Sequence, residues 1–153
     1  MGEVEAIVAA TPRLDGIREG VAELSRLGAV PALLSHNPTF IVDWYRRTFG
    51  FRDAEGVASG TPDHGIIPPA GPVKADKAGG LRALLDRTGV PAERAAHVGD
   101  GWADAMLFPR VGAGVAVNSV LPEVARAADR ALTTNDFRDV VRALRELRPR
   151  SER

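Results

Sequence analysis

Two carboxylates four residues apart, Asp100 and Asp104, stand in the stretch GDGWAD. Ala95–Val98 before them reads as a short strand, so Gly99-Asp100-Gly101 is a tight turn at its carboxyl end. Asp104 then falls on the first turn of the next helix. Both side chains can face one point, which suits a hard cation such as Mg²⁺ with waters and substrate oxygens. A plain turn followed by a helix start, where the dipole favours negative charge, would use the same residues. Lys77 opens another helix, where an ammonium opposes the dipole; the placement fits an anion to neutralise or a solvated surface lysine. Ser35 directly follows the apolar run Val30–Leu34 and is followed by His36 and Asn37. A hydroxyl and backbone N–H groups at a helix start can hold a phosphate, although serine after a strand is more often a turn or cap residue.

Composition narrows the chemistry. The 153 residues fit one domain, 1–153, large enough to bury a core without staples. Twenty cations balance 20 anions, which argues against a sequence-independent grip on nucleic acid or anionic membrane. Eighteen of the cations are Arg; the two Lys, Lys74 and Lys77, lie three residues apart. With no Cys, disulfides, thiolate metal sites and Cys nucleophiles are excluded. His36, His64 and His97 lack ligand spacing. Aromatic residues make up 5% and offer no stacking platform for bases. No apolar run approaches the roughly 20 residues of a bilayer span, and the acidic start MGEVEAIVAATPRLDG has no basic leader region. The start is weak for myristoylation because Ala6 stands where Ser or Thr is wanted. A cytoplasmic location is the expectation.

The elements that must hold these residues alternate. Residues 3–10 read as a short helix, with a strand as the alternative. Ile17, Val21, Leu24 and Leu27 share a helical face that Gly28 ends. Val30–Leu34 is a buried strand, and Thr39 caps a helix to about Phe49. A short strand is expected near Gly56–Ser59, then a Gly/Pro-rich loop to residue 72. Asp76 caps a helix from Lys77 to Thr88, with Leu81, Leu84 and Leu85 inward. A short helix follows over Ala103–Phe108. A strand at Val115–Val117, a helix at Pro122–Ala128, a strand at Arg130–Leu132 and a helix at Asp136–Leu147 complete the pattern; residues 148–153 are expected to fray. The order predicts an α/β fold, a Rossmann-like and mainly parallel sheet with helices on both faces. Ligands in such folds sit at the carboxyl ends of the strands, which directs attention to Ser35–Asn37, Gly99–Asp104 and Asn118–Ser119.

The order strand–Ser, then Lys, then strand–GDxxxD, over nearly the whole chain, resembles the haloacid dehalogenase superfamily and its phosphoserine phosphatase-like members. VPALLSHNP (30–38) looks like the second family motif, Lys77 like the third-motif Lys, and HVGDGWADAMLFPRVGAGVAVN (97–118) like the fourth motif and its following strand. The resemblance implies attack by an Asp carboxylate on phosphorus and an aspartyl-phosphate. Ser35, with His36 and Asn37, would bind the phosphoryl group. Lys77 would neutralise nucleophile and phosphate, and Asp100, helped by Asp104, would hold Mg²⁺ against the charge of the transition state. The implied substrate is a small phosphorylated metabolite.

Two departures stand out. Ala103 replaces the Asn that many members carry before the last Asp. More seriously, no Asp-x-Asp-Gly-Thr follows an apolar strand, so the nucleophile motif is missing. Asp15-Gly16 has Arg13 where the nucleophile should stand, and PRLDGIREGVAEL instead resembles the helix leading into the second motif. Residues 1–11 read as the remnant of a cap helix. If they were a strand, Thr11 would fall near the nucleophile position without a base to activate it. The expectation is a core that lacks its first, central strand and most of the cap. A sheet with a gap or open edges should pair with a second copy, giving a homodimer. Two functions follow: a Mg²⁺-dependent phosphatase represented without its nucleophile segment and inactive alone, or a non-catalytic phosphate- and metal-binding module. Of the remaining residues, His64 reads as a solvated loop residue and His97 as a packed or hydrogen-bonded strand residue. Trp102 reads as a shield of the site or a cover for the neighbouring helix.

Overall fold

A computed structural model describes residues 2–58 and 77–152. Lys74, Asp76, His64 and the loop expected over 59–72 lie outside the described residues. In order the elements are α1 (Gly2–Ala10), α2 (Ile17–Arg26), β1 (Ala32–Pro38), α3 (Thr39–Phe49), β2 (Asp53–Val57), α4 (Lys77–Thr88), β3 (Ala96–Gly99), α5 (Trp102–Ala105), β4 (Ala113–Val117), α6 (Pro122–Ala127), β5 (Arg130–Leu132) and α7 (Phe137–Glu146). Every strand pairing is parallel, and among the described residues the strands form two sheets, β2-β1 and β3-β4-β5.

β4 is buried along its whole length and carries the core on both faces. Val115 and Val117 pack with Val140 of α7, whereas Ala116 packs with Ala105 of α5, Phe108 and Val124 of α6. The period-two alternation of a strand thus places helices on opposite faces, as the alternating pattern predicts. On the outer side, α2 lies against α7 so closely that a Cβ on Gly20 would come 2.5 Å from Phe137 Cδ1. The sense of β1 and β3 follows from α4. Its Gly80 abuts Leu34 and Glu55, midway along β1 and β2, and Arg87, further along the helix, pairs with Asp53 at the amino end of β2. Lys77, at the start of α4, meets Asp104 just beyond β3. β1 and β3 therefore run the same way, antiparallel to α4.

Four boundaries differ from expectation. β1 extends to Pro38, so Ser35, His36 and Asn37 lie within the strand and not in a loop after it. The cause is the pairing with β2, which resumes at Pro38↔Val57 after an irregularity beyond Leu34↔Glu55. Thr39 is the first residue of α3; Pro38 takes the cap position and no side chain caps the helix. The second strand is Asp53–Val57, earlier than Gly56–Ser59; Arg87 neutralises its two acids, bonding Asp53 at 3.0 Å and Glu55 at 2.9 Å. The helix expected to run to Phe108 stops at Ala105, and Pro109 sits in a 3₁₀ turn, Phe108–Arg110. The tail has anchors at Arg150. Its guanidinium donates to Asp129 Oδ2 at 2.5 Å, to Val111 O at 2.9 Å and to Phe108 O.

Candidate active site at the ends of two parallel strands

The turn after β3 is shaped by Asp104. Its Oδ2 accepts the Gly101 N–H at 3.1 Å, folding the carboxylate back over the loop. Gly99 must be glycine, since a Cβ there would lie 2.1 Å from Asp104 Cγ. Asp104 Oδ1 is shared by two donors, Lys77 Nζ at 2.6 Å and His97 Nε2 at 2.8 Å. An ionised carboxylate only accepts, so His97 Nε2 carries the proton. The His97 ring is positioned by its place on β3 and by Phe108, 5.9 Å away between ring centroids.

All three side chains are nearly buried, at 14% exposure for Lys77, 10% for His97 and 6% for Asp104. Burial works against the Asp104 charge. The hydrogen bonds from His97, Lys77 and the Gly101 N–H outweigh it and hold the carboxyl well below the usual carboxylate range. The result is an ionised aspartate clamped between an ammonium and an imidazole.

Asp100 presents a different case. It is exposed on the turn, and no described residue bonds its carboxylate; its backbone carbonyl accepts the Ser119 hydroxyl at 2.6 Å, tying this turn to the loop after β4. That loop turns at Asn118 (φ 53°), whose amide side chain both accepts from Thr134 N and donates to Thr134 O at 2.8 Å.

Of the residues singled out in the sequence, the structure joins Lys77 directly to Asp104. Ser35, His36 and Asn37 lie together at the carboxyl end of β1. There the Ser35 hydroxyl accepts from Asn37 N at 3.1 Å and Asn37 Nδ2 at 3.0 Å. Among the described residues, no hydrogen bond links this trio to Lys77, Asp100 or Asp104. The partnership of His97 with Asp104 was not specified by the sequence reading, although seven residues from a strand position to the first helical turn after a Gly turn allow the reach. Trp102 is 60% exposed on the first turn of α5.

The donor set fits a hard cation in part. Asp100 offers open carboxylate oxygens, the ligand type Mg²⁺ prefers, and Asp104 Oδ2 keeps a lone pair beyond its bond to Gly101. Asp104 Oδ1 is occupied by its two donors. No group of three or more His, Asp or Glu suited to an ion occurs among the described residues. A cation would therefore rest on Asp100, with Asp104 as a secondary contact and the remaining positions left to water and substrate, as Mg²⁺ tolerates.

Comparisons with known proteins agree with this layout. Residues 65–144 match the model of the haloacid dehalogenase-like hydrolase family. Among solved structures, the fold is similar to a phosphoserine phosphatase captured as a phospho-aspartyl intermediate analogue (TM-score 0.77, 22% identity, covering 93% of this chain and 69% of that one). It is also similar to a substrate-bound phosphoserine phosphatase complex (TM-score 0.72, 23% identity, 85% of this chain and 63% of that one). A third is the cobalt-bound deoxy-D-mannose-octulosonate 8-phosphate phosphatase from Haemophilus influenzae (TM-score 0.67, 22% identity, 85% and 69%). No curated protein matches the chain. Parallel strands whose carboxyl ends carry a Gly-Asp-Gly turn, with a lysine fixed on the second aspartate and a family match over more than half the sequence, make this chain a member of the haloacid dehalogenase-like hydrolases.

Proposed function

We propose that the chain is the phosphate- and Mg²⁺-holding core of a phosphatase acting on a small phosphorylated metabolite in the cytoplasm, and that alone it binds without turning over. The observation that carries the reading is the Lys77 ammonium, fixed at 2.6 Å on buried Asp104 in the same turn as Asp100, whose carboxylate no described residue bonds. Lys77 supplies a compact positive charge for a phosphoryl oxygen, and the Asp104–His97 clamp keeps it from swinging into solvent. Ser35 and Asn37 offer a hydroxyl and an amide to the phosphate from the end of β1; His36, exposed beside them, offers an imidazole donor. Asp100 would hold Mg²⁺, which when bound neutralises charge developing on the phosphoryl oxygens. A carboxylate nucleophile matching the family motif is not among these residues, which supports binding without hydrolysis. The non-catalytic module shares every one of these contacts and differs only in never gaining a nucleophile.

The test is calorimetric titration of the purified chain with Mg²⁺ and then inorganic phosphate, alongside p-nitrophenyl phosphate hydrolysis. Expected are Mg²⁺ binding that disappears in Asp100→Asn, phosphate binding that weakens in Lys77→Met, and no hydrolysis. Turnover by the wild-type chain would show that a nucleophile lies within it, and absence of both binding events would overturn the assignment.

A further inference from the structure

The Ser35 hydroxyl acts only as an acceptor among the described residues. The pairing of β1 with β2 is irregular between Leu34 and Pro38, which lets Ser35 and Asn37 close on each other. Ser35 Oγ accepts the Asn37 backbone N–H at 3.1 Å and Asn37 Nδ2 at 3.0 Å. A serine oxygen carries two acceptor lone pairs and one proton, so both acceptor positions are filled and the proton is left over. No described residue accepts that proton. We propose that Asn37 is a positioning residue: it saturates the Ser35 oxygen and so commits the hydroxyl to donate to a phosphoryl oxygen.

The proton is left over beside the lysine. α4 crosses β1 at Gly80, where a Cβ would come 2.7 Å from Leu34 Cδ1. The helix runs antiparallel to the strand. Ser35, just beyond Leu34, and Lys77, about one turn before Gly80, therefore lie on the same side of that crossing. The Lys77 ammonium has three donors and gives one to Asp104 at 2.6 Å. An anion at the end of β1 thus meets a hydroxyl whose acceptor positions are filled and an ammonium that only donates. That pair suits a fully deprotonated phosphoryl oxygen and leaves a protonated one without an acceptor. A free serine hydroxyl alternates between donating and accepting. The bonds from Asn37 fix its role before the ligand arrives, a preorganisation that raises affinity without adding a contact. The side-chain amide is not needed for the turn itself, because the Asn37 backbone N–H already bonds Ser35 Oγ, and the residue is exposed. The donor role of Ser35 rests on the reading of this end of β1 as a phosphate site; the saturation of its oxygen does not.

Calorimetric titration of the full chain with inorganic phosphate, Mg²⁺ present, tests this in a double-mutant cycle with Ser35→Ala. Asn37→Asp is the decisive variant: it is isosteric, but an oxygen in place of Nδ2 accepts the Ser35 proton and turns it away from the ligand. With Ser35 intact, Asn37→Ala should weaken phosphate binding about threefold and Asn37→Asp about tenfold or more. In the Ser35→Ala background Asn37→Ala should cost nothing further, and Asn37→Asp should keep only the smaller loss due to its charge. Phosphate affinity unchanged by both Asn37 variants, with or without a fall in urea midpoint, overturns the positioning role. A loss from Asn37→Ala that persists undiminished in the Ser35→Ala background puts the amide on the phosphate itself; it overturns the positioning role and leaves the phosphate site standing. Ser35→Ala binding phosphate as tightly as wild type overturns the donor reading of Ser35 and the positioning role with it.

Discussion

Lys77 and Asp104, 27 residues apart in sequence, meet at 2.6 Å with neither side chain more than 14% exposed. The contact pins the start of α4 to the turn beyond β3 across otherwise separate parts of the fold. Removing Asp104 strands the Lys77 ammonium in a largely buried place, a loss of about 3–5 kcal/mol, whereas removing Lys77 leaves Asp104 its bonds from His97 and the Gly101 N–H and costs less. In urea titrations Asp104→Asn should lower the unfolding free energy by about 3–5 kcal/mol and Lys77→Met by less. The double variant should lose clearly less than the sum, because the second change no longer strands a charge.

The same pair sets an acid limit. In the fold the Asp104 carboxyl is held well below its usual range, whereas in the unfolded chain it titrates near about 3.9. A depressed carboxylate contributes stability that is complete above about pH 4 and is lost as pH falls through the folded value. Asp136, lowered to about 2 by hydrogen bonds from Arg138, has the same sign but lies near the surface, where solvent screens it. The gap in thermal midpoint between wild type and Asp104→Asn should therefore be constant above about pH 5 and narrow toward pH 2. A gap that stays constant down to pH 2 would remove Asp104 as the source.

Gly99 gives a steric test of the turn. A Cβ there would sit 2.1 Å from Asp104 Cγ and 2.6 Å from Oδ1. Gly99→Ala must push the carboxylate off its position, so it should destabilise by about 1–3 kcal/mol. It should also reduce Mg²⁺ and phosphate binding more than Gly101→Ala, because a Cβ at Gly101 meets Asp104 Oδ2 at an ordinary 3.6 Å. Calorimetry on the two variants gives the comparison.

Asn118 separates backbone strain from bonding. It holds a left-handed φ of 53° while its side chain accepts and donates one hydrogen bond each with Thr134. Asn118→Ala loses both advantages and should lower stability by about 1–2 kcal/mol, while Asn118→Gly keeps the backbone freedom and should recover part of it. Urea midpoints of the two variants decide the order.

The parts of this structure that sequence made legible are those with a local cause. The Lys77–Thr88 helix, the strand at Arg130–Leu132 and the GDGWAD turn follow from periodicity and glycine placement. Ser35–Asn37 reads as a loop in the sequence, whereas β1 is prolonged through it by pairing with β2, a partner that only the fold supplies. β2 itself was obscured by Asp53 and Glu55, whose charges are neutralised by Arg87, over 30 residues away. The clamp on Asp104 is half legible: residue type and spacing single out Asp104 and Lys77, but that Lys77 and His97 share Asp104 depends on α4 running back across the ends of the strands.

The split of the strands into two sheets also bears on how the molecule comes apart. Backbone pairing transmits unfolding from strand to strand, and among the described residues that ladder is interrupted between β1 and β3. Both buried clusters rest on β4, and Arg150 returns the end of the chain to Asp129 and to the carbonyls beside that strand. The β1–α3–β2 portion has a single fully buried helix residue, Val42, and leans on α4 for closure. Residues 30–58 therefore form the less stable cooperative unit, able to open while the β3–β5 unit stays folded, with the Lys77–Asp104 pair as the clasp between the two.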